Sequence, residues 1–125
     1  MEYLIDTNII IYHLSGDLMV NDFIKKNIDK LNISFISYIE VLSYNFSKEE
    51  EYSVREFLKI FRLIDINKSI LEKTIEIRKM KKIKLPDCII ASTAEIKNMI
   101  LVTRNIKDFH NLGIQIVNLY ENNKE

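Results

Sequence analysis

Five oxygen-bearing side chains, spread over four segments of the 125-residue chain, could together bind a metal ion. Asp6 directly follows the strand-like run YLI, and Glu40 follows a second such run by about one helical turn. Asp87 comes after KLP, and Asn105 and Asp108 come soon after MILVT. Carboxylates that gather without a counter-ion repel one another and raise one another's pKa. Oxygen ligands without His or Cys suit Mg²⁺ or Mn²⁺ better than Zn²⁺.

Each of these residues also has an ordinary structural role open to it. Asp6 and Asn105 could cap helices, because their side chains accept hydrogen bonds from the free N–H groups of a first turn. Asp87, one residue after Pro86, fits a first-turn acid that complements the helix dipole. Glu40 could be solvated on the polar face of a helix. The buried face of that helix would consist of Tyr38, Ile39, Leu42 and Phe46. These roles suffice for single residues, whereas a shared cation accounts for all of the acids together.

The elements that must position these side chains are short apolar runs alternating with helical segments. Five runs favour strands: residues 3–5, 33–36, 62–66, 99–102 and 114–119. The alternation predicts an α/β fold with a central, mainly parallel sheet of about four to five strands. Ligands of such sheets bind beyond the carboxyl ends of the strands. Asp6, Glu40, Asn105 and Asp108 follow predicted strands. Asp87 opens a predicted helix after KLP, and we expect all of these side chains to meet at that edge.

Helical periodicity marks the segments between the strands. Three apolar faces follow the spacing of a helix: Phe23, Ile24, Ile28 and Leu31; Val54, Phe57, Leu58 and Phe61; Ile70, Leu71, Thr74 and Ile75. Two capping boxes, Ser47 with Glu50 and Ser69 with Glu72, predict the starts of helices. Two Gly and one Pro are too few for a many-turned barrel.

The composition limits the classes of protein that the chain can belong to. We expect one domain over residues 1–120 and a frayed tail at 121–125. Lys plus Arg equals Asp plus Glu at 18 each, so any binding of nucleic acid depends on local patches. A single cysteine, Cys88, excludes an internal disulfide and favours a reducing compartment. Without a secretory signal or a membrane-length apolar run, the chain is predicted to be cytoplasmic, with no membrane partner.

Four segments together resemble the PIN-domain ribonucleases, and within them the VapC-type toxins of toxin–antitoxin pairs. These segments are YLIDTNIIIY, ISFISYIEVLSY, IKLPDCIIASTA and LVTRNIKDF, in the order found in the family. The resemblance implies a PIN-like α/β/α sandwich and metal-dependent endonucleolytic cleavage of RNA with Mg²⁺ or Mn²⁺. It also implies a homodimer and a cognate VapB-like antitoxin, which would block the acidic pocket with a basic side chain.

The resemblance also assigns roles to individual residues. Asp6 and Asp87 match central metal ligands, and Glu40 would be a further ligand or would orient the attacking water. Asn105 stands at the last acidic position of the family, so Asp108 would supply the missing charge as a metal ligand; whether one or two ions bind stays open. The hydroxyl groups expected to support these acids belong to Thr7, Ser37 and Thr103.

Basic and aromatic residues offer candidate contacts for RNA. The segment RKMKKIK, residues 78–84, could neutralise phosphates beside the acidic pocket or could simply be a solvated helix end. The candidates are Arg78, Lys81, Lys82, Lys84 and, before Asn105, Arg104. Tyr12 and Tyr44 could stack on bases, although packing against neighbouring helices is their simpler role.

Three other functions use the same residues. A nuclease directed at DNA or at particular structures would need the same carboxylates, and a catalytically silent PIN domain would serve as a binding module. A phospho-accepting regulator would also place an aspartate at a strand end, but it gives no role to TRNIKDF.

Overall fold

The computed structural model describes residues 1–121, which form a five-stranded, all-parallel sheet with helices on both faces. The strands are β1 (Tyr3–Ile5), β2 (Leu31–Ser34), β3 (Arg62–Ile64), β4 (Ile100–Val102) and β5 (Ile116–Val117). The helices are α1 (Thr7–Leu14), α2 (Leu18–Lys26), α3 (Phe35–Leu42), α4 (Lys48–Leu58), α5 (Lys68–Met80), α6 (Leu85–Ile96) and α7 (Ile106–Phe109). The strand order is β3-β2-β1-β4-β5, which confirms the predicted α/β class and parallel sheet.

The alternation of side chains along the two central strands divides the core into two layers. Leu4 and Leu101 are fully buried on the face covered by α5, α6 and α7. Ile5 and Val102 are fully buried on the other face, against α1, α2 and α4. Both faces of the central strands are therefore apolar, as expected for a parallel sheet covered by helices on both sides.

The register of the central strands sets the positions of the residues that follow them. Ile5 pairs with Val102, so β1 and β4 end at the same level. The next residues, Asp6 and Thr103, consequently lie side by side at the carboxyl edge of the sheet. The backbone N–H of Asp6 donates to the carbonyl of Val102 over 3.0 Å and continues the pairing by one residue.

The structure corrects several predicted boundaries. The first predicted helical face is wrong at its C-terminal end. Helix α2 ends before Asn27, which caps it and whose Nδ2 donates to the carbonyl of Phe23. Leu31 instead opens β2. The second strand ends at Ser34, whose hydroxyl accepts from the backbone N–H of Ile36 and starts α3 there.

The predicted helix starts have mixed outcomes. The capping box of Ser47 and Glu50 is confirmed at the start of α4. The second box is wrong, since Asn67 caps α5 by accepting from the backbone N–H of Ile70, which puts Ser69 inside the first turn. On the same helix Leu71 and Ile75 are exposed, whereas Ile70 and Thr74 are buried as predicted.

Two further observations concern the C-terminal residues and the length of the helices. Residues 122–125 of the predicted tail lie outside the described residues. Within residues 1–121, no helix is both long and apolar enough to cross a bilayer.

Candidate active site

A cavity of about 460 Å³ opens at the carboxyl edge of the sheet and is lined by residues from several segments. Its polar lining includes all five of the predicted metal-binding side chains: Asp6, Glu40, Asp87, Asn105 and Asp108. The remaining lining residues are Thr7, Asn8, Ile39, Ser43, Tyr44, Lys84 and Pro86. Segments far apart in the sequence thus bring four carboxyl groups to one opening.

Asp6 lies deepest in this cavity and is held by two hydrogen bonds. Its side chain is only 4% exposed. Oδ1 accepts from the backbone N–H of Thr7 over 2.8 Å, because Asp6 caps α1. Oδ2 accepts from the hydroxyl of Thr103 over 2.6 Å. Burial raises the pKa of the Asp6 carboxyl group, and the two hydrogen bonds oppose that shift.

Thr103 links this carboxylate to the loop that follows β4. Its hydroxyl group donates a hydrogen bond to Asp6, and the same oxygen accepts from the backbone N–H of Asn105 over 2.9 Å. One buried hydroxyl therefore connects the end of β1 to the segment that carries Asn105 and Asp108.

Glu40 is held by a second hydroxyl relay. Thr7 Oγ1 lies 2.7 Å from Glu40 Oε1 and 2.8 Å from Ser37 Oγ. A hydroxyl has one proton to donate, and a carboxylate can only accept, so Thr7 donates to Glu40 and Ser37 donates to Thr7. Thr7 and Thr103 thus contact acids directly, whereas Ser37 acts through Thr7.

Asp87 differs from Asp6 because no hydrogen bond to its carboxylate is formed within residues 1–121. It lies in the first turn of α6 after Pro86. Burial raises the pKa of its carboxyl group to about 6, with further contributions from the negative charges of Asp6, Asp108 and Glu40; Lys84 opposes them. The carboxylate therefore interacts electrostatically with three other acids. Because it accepts no hydrogen bond from residues 1–121, its oxygens are available to bind a ligand.

Asn105 and Asp108 form a local pair at the start of α7. Asn105 caps the helix, and its Oδ1 accepts from the backbone N–H of Asp108 over 3.3 Å. Its Nδ2 donates to Asp108 Oδ2 over 2.9 Å. The amide therefore fixes the Asp108 carboxylate while both line the cavity.

The donor set suits a hard cation that keeps water ligands. No three His, Cys, Asp or Glu side chains among the described residues form a preassembled cluster around one point. Mg²⁺ does not need such a cluster, since it is commonly bound through one or two carboxylates with waters completing the octahedron. The carboxylate of Asp87, which accepts no hydrogen bond from the described residues and lies near the negative charges of Asp6 and Asp108, fits that kind of site.

The candidate RNA contacts differ in their surroundings. Arg78 donates to the carbonyl of Ile83, and Lys81 donates to the carbonyls at the end of α7. The Arg104 guanidinium carbon lies 4.5 Å from the ring centre of Tyr120 and 5.4 Å from that of Tyr12. Lys82 is exposed, and Lys84 lines the cavity.

Sequence reasoning missed one wall of the cavity. Ile39 was predicted to be buried, but it is 53% exposed and lines the opening with Ser43. The helix turns Ser37 and Val41 inward instead, and both are fully buried. The one available signal was the position of Ile39 directly before Glu40.

Comparison with known proteins identifies the family. The family model of the PIN domain matches residues 3–114. The chain therefore belongs to the PIN-domain family, a family of nucleases, as its motifs predicted. No curated protein sequence matches the chain.

Solved structures give the same result. A toxin–antitoxin complex from Klebsiella pneumoniae contains a chain with 34% identity and a TM-score of 0.85; the match covers 95% of this chain and 98% of that one. VapBC2 from Rickettsia felis, bound to a promoter DNA fragment, has 27% identity and a TM-score of 0.82, with coverage of 94% and 98%. DNA-bound VapBC from Salmonella typhimurium has 22% identity and a TM-score of 0.85, with coverage of 95% and 98%. The predicted likeness to VapC-type proteins is confirmed.

Proposed function

We propose that this protein is a metal-dependent endoribonuclease and the toxin component of a type II toxin–antitoxin module. The observation that carries the proposal is the cavity lined by four carboxyl groups, of which Asp87 has no hydrogen bond from the described residues. Burial, with a further contribution from the neighbouring negative charges, raises the pKa of Asp87 to about 6. Such an arrangement costs stability in the absence of a cation. Membership in a nuclease family gives the acids a reaction to perform.

Asp6, Asp87 and Asp108 would hold Mg²⁺ or Mn²⁺. When bound, the ion would lower the pKa of a coordinated water and neutralise charge on the scissile phosphate. Asp6 suits the role because Thr103 and the Thr7 N–H fix both of its oxygens in place. Each hydrogen-bonded oxygen of a carboxylate retains acceptor capacity for a ligand.

The remaining polar residues would position the other reacting groups. Glu40, with Oε1 held by Thr7, would orient the attacking water or provide a further ligand. Lys84, which lines the same cavity, would contact a phosphate oxygen. Asn105 would act by fixing Asp108 through the hydrogen bond from its amide.

Complexes that contain similar chains support the proposed partner. The Klebsiella chain with 34% identity comes from a toxin–antitoxin complex. We expect a cognate VapB-like antitoxin that inserts a basic side chain into the acidic cavity, where charges of opposite sign would meet. A homodimer acting in the cytoplasm on RNA is part of the same proposal.

Cleavage of total cellular RNA by the purified protein tests the activity. Discrete fragments should appear with Mg²⁺ or Mn²⁺ and be absent with EDTA, and single-stranded DNA of matched length should remain intact. Asp87→Asn should abolish the fragments. Asp29→Asn, an exposed acid between α2 and β2, is the matched control and should cleave like the wild type.

Two results would reject the proposal. Cleavage that persists in EDTA or in Asp87→Asn would remove the cation and this carboxylate from the reaction. Cleavage of DNA in preference to RNA would favour a nuclease of another specificity.

A further inference from the structure

The cavity has an apolar rim as well as an acidic floor. Ile39 and Tyr44 line it on the α3 side, and they are 53% and 55% exposed. Lys84 and Asp87 line the same cavity from α6 and the residue before it. A ligand in the cavity would therefore meet charged groups and an aromatic surface at the same time.

Tyr44 is exposed but held in a defined orientation. Its backbone N–H donates to the carbonyl of Val41 over 3.4 Å, and its carbonyl accepts from the N–H of Phe46 over 2.9 Å. Its ring stacks on that of Phe46 at 6.0 Å between centres and an angle of 23°. Phe46 in turn packs against the buried cluster beside α4. The Phe46 ring thus supports one face of the Tyr44 ring, and more than half of Tyr44 remains exposed to solvent.

Single exposed apolar residues are common and need no functional explanation. Tyr44 differs because it shares a cavity with four carboxyl groups and a lysine. In RNA recognition, aromatic side chains stack on bases that are not already paired and stacked in a helix.

We infer that Tyr44, supported by Ile39, stacks on an unpaired base of the RNA that adjoins the phosphate held at the acidic floor. This inference rests on the proposed function and adds a specificity-determining residue to it. Bases of an RNA duplex stack on one another, so a paired strand would not present a free face to the ring.

A fluorescent single strand tests the contact without cleavage. The probe is a six-nucleotide RNA with 2-aminopurine placed at each position in turn, mixed with Mg²⁺ and Glu40→Gln protein, which keeps the three aspartates proposed to hold the ion. Stacking on Tyr44 should quench the fluorescence from one position. Adding Tyr44→Phe should preserve the quenching, whereas adding Tyr44→Ala should remove it and weaken binding by about 10-fold.

Two further variants separate stacking from effects on the fold. Tyr44→Leu retains an apolar side chain without a flat ring, and it should lose the quenching while melting at the wild-type temperature. Tyr52→Ala removes a tyrosine that is 67% exposed on α4 and does not line the cavity, and it should bind like the parent protein.

The outcomes distinguish this inference from the nuclease proposal. Quenching that depends on Tyr44, in a wild-type protein that cleaves no RNA, would support the inference and reject the nuclease. Cleavage that is unchanged by Tyr44→Ala, or equally fast on a duplex, would reject the inference alone. An absence of binding by the single-stranded probe would also reject it.

Discussion

Asp6 and Asp87 line the same cavity but differ in their hydrogen bonds. Burial raises the pKa of Asp6, and hydrogen bonds from Thr103 and Thr7 oppose that effect. Asp87 has no hydrogen bond from within residues 1–121, and its pKa rises to about 6. Asp6 is therefore both a helix cap and a fixed ligand candidate, whereas the Asp87 carboxylate, among residues 1–121, has the charge of Lys84 nearby but no hydrogen-bond donor.

Replacing Asp87 should stabilise the metal-free protein while abolishing cleavage. Because the folded pKa lies above the ordinary value of 3.8, the native state holds this proton more tightly than the unfolded chain does. That contribution to stability is full below about pH 4 and is lost as the pH rises through 6. At pH 7.5 in EDTA, Asp87→Asn should therefore raise the free energy of unfolding by on the order of 1 kcal/mol, after discounting for solvent screening.

Thermal melting measures this effect. The expected increase in Tm is about 4 °C at pH 7.5 and should shrink toward zero at pH 4. Asp29→Asn should show no increase at either pH. A lower Tm for Asp87→Asn at pH 7.5 would mean that the carboxylate has a stabilising partner.

At the scale of elements, the basic segment 78–84 contacts the helix that carries Asp108 and is also partly exposed to solvent. Lys81 Nζ donates to the carbonyl of His110 over 2.9 Å and to that of Lys107 over 3.4 Å. These carbonyls lie at the end of α7, the four-residue helix that carries Asp108. A cation there satisfies acceptors that a helix end leaves free. Lys81 therefore helps to position Asp108, while Lys82 is left exposed to solvent.

Lys81→Met and Lys82→Met should change different properties of the protein. Lys81→Met should lower the free energy of unfolding by about 1 kcal/mol and reduce kcat, without changing the salt dependence of RNA binding. Lys82→Met should leave Tm unchanged but reduce the salt slope by up to about 1. An equal loss of slope in both variants would show that Lys81 contacts the RNA backbone.

At the scale of the whole molecule, parallel pairing of β1 and β4 brings Asp6 beside the segment that carries Asp108, and α3 and α6 bring Glu40 and Asp87 to the same edge. β1 and β4 end level, and Asp6 and Thr103 follow them as neighbours. The chain carries equal numbers of acidic and basic residues, so the negative charge of this edge is a local feature. The sheet thus concentrates carboxylates that the composition alone does not reveal.

This dependence on the sheet explains which features could be predicted from sequence. Most of the acids could be found because they follow strand-like runs that share one edge of the sheet, whereas Asp87 was found at the start of a predicted helix after KLP. The C-terminal end of the second helix could not be predicted, because Leu31 happens to continue the helical periodicity although Asn27 ends the helix. The exposure of Ile39 was also missed, because short apolar helices leave more than one face that could be buried. Hydroxyl relays through Thr7 and Thr103 depend on contacts between distant segments.

The central claim is that these carboxylates gather to hold a divalent cation. Titration of the purified protein with Mn²⁺, followed by the loss of the free-ion electron paramagnetic resonance signal, tests it without knowledge of the RNA target. The wild type and Asp29→Asn should bind Mn²⁺ in competition with Mg²⁺, and Asp6→Asn and Asp87→Asn should each weaken binding by at least about 10-fold. Equal binding by all four proteins would contradict the claim.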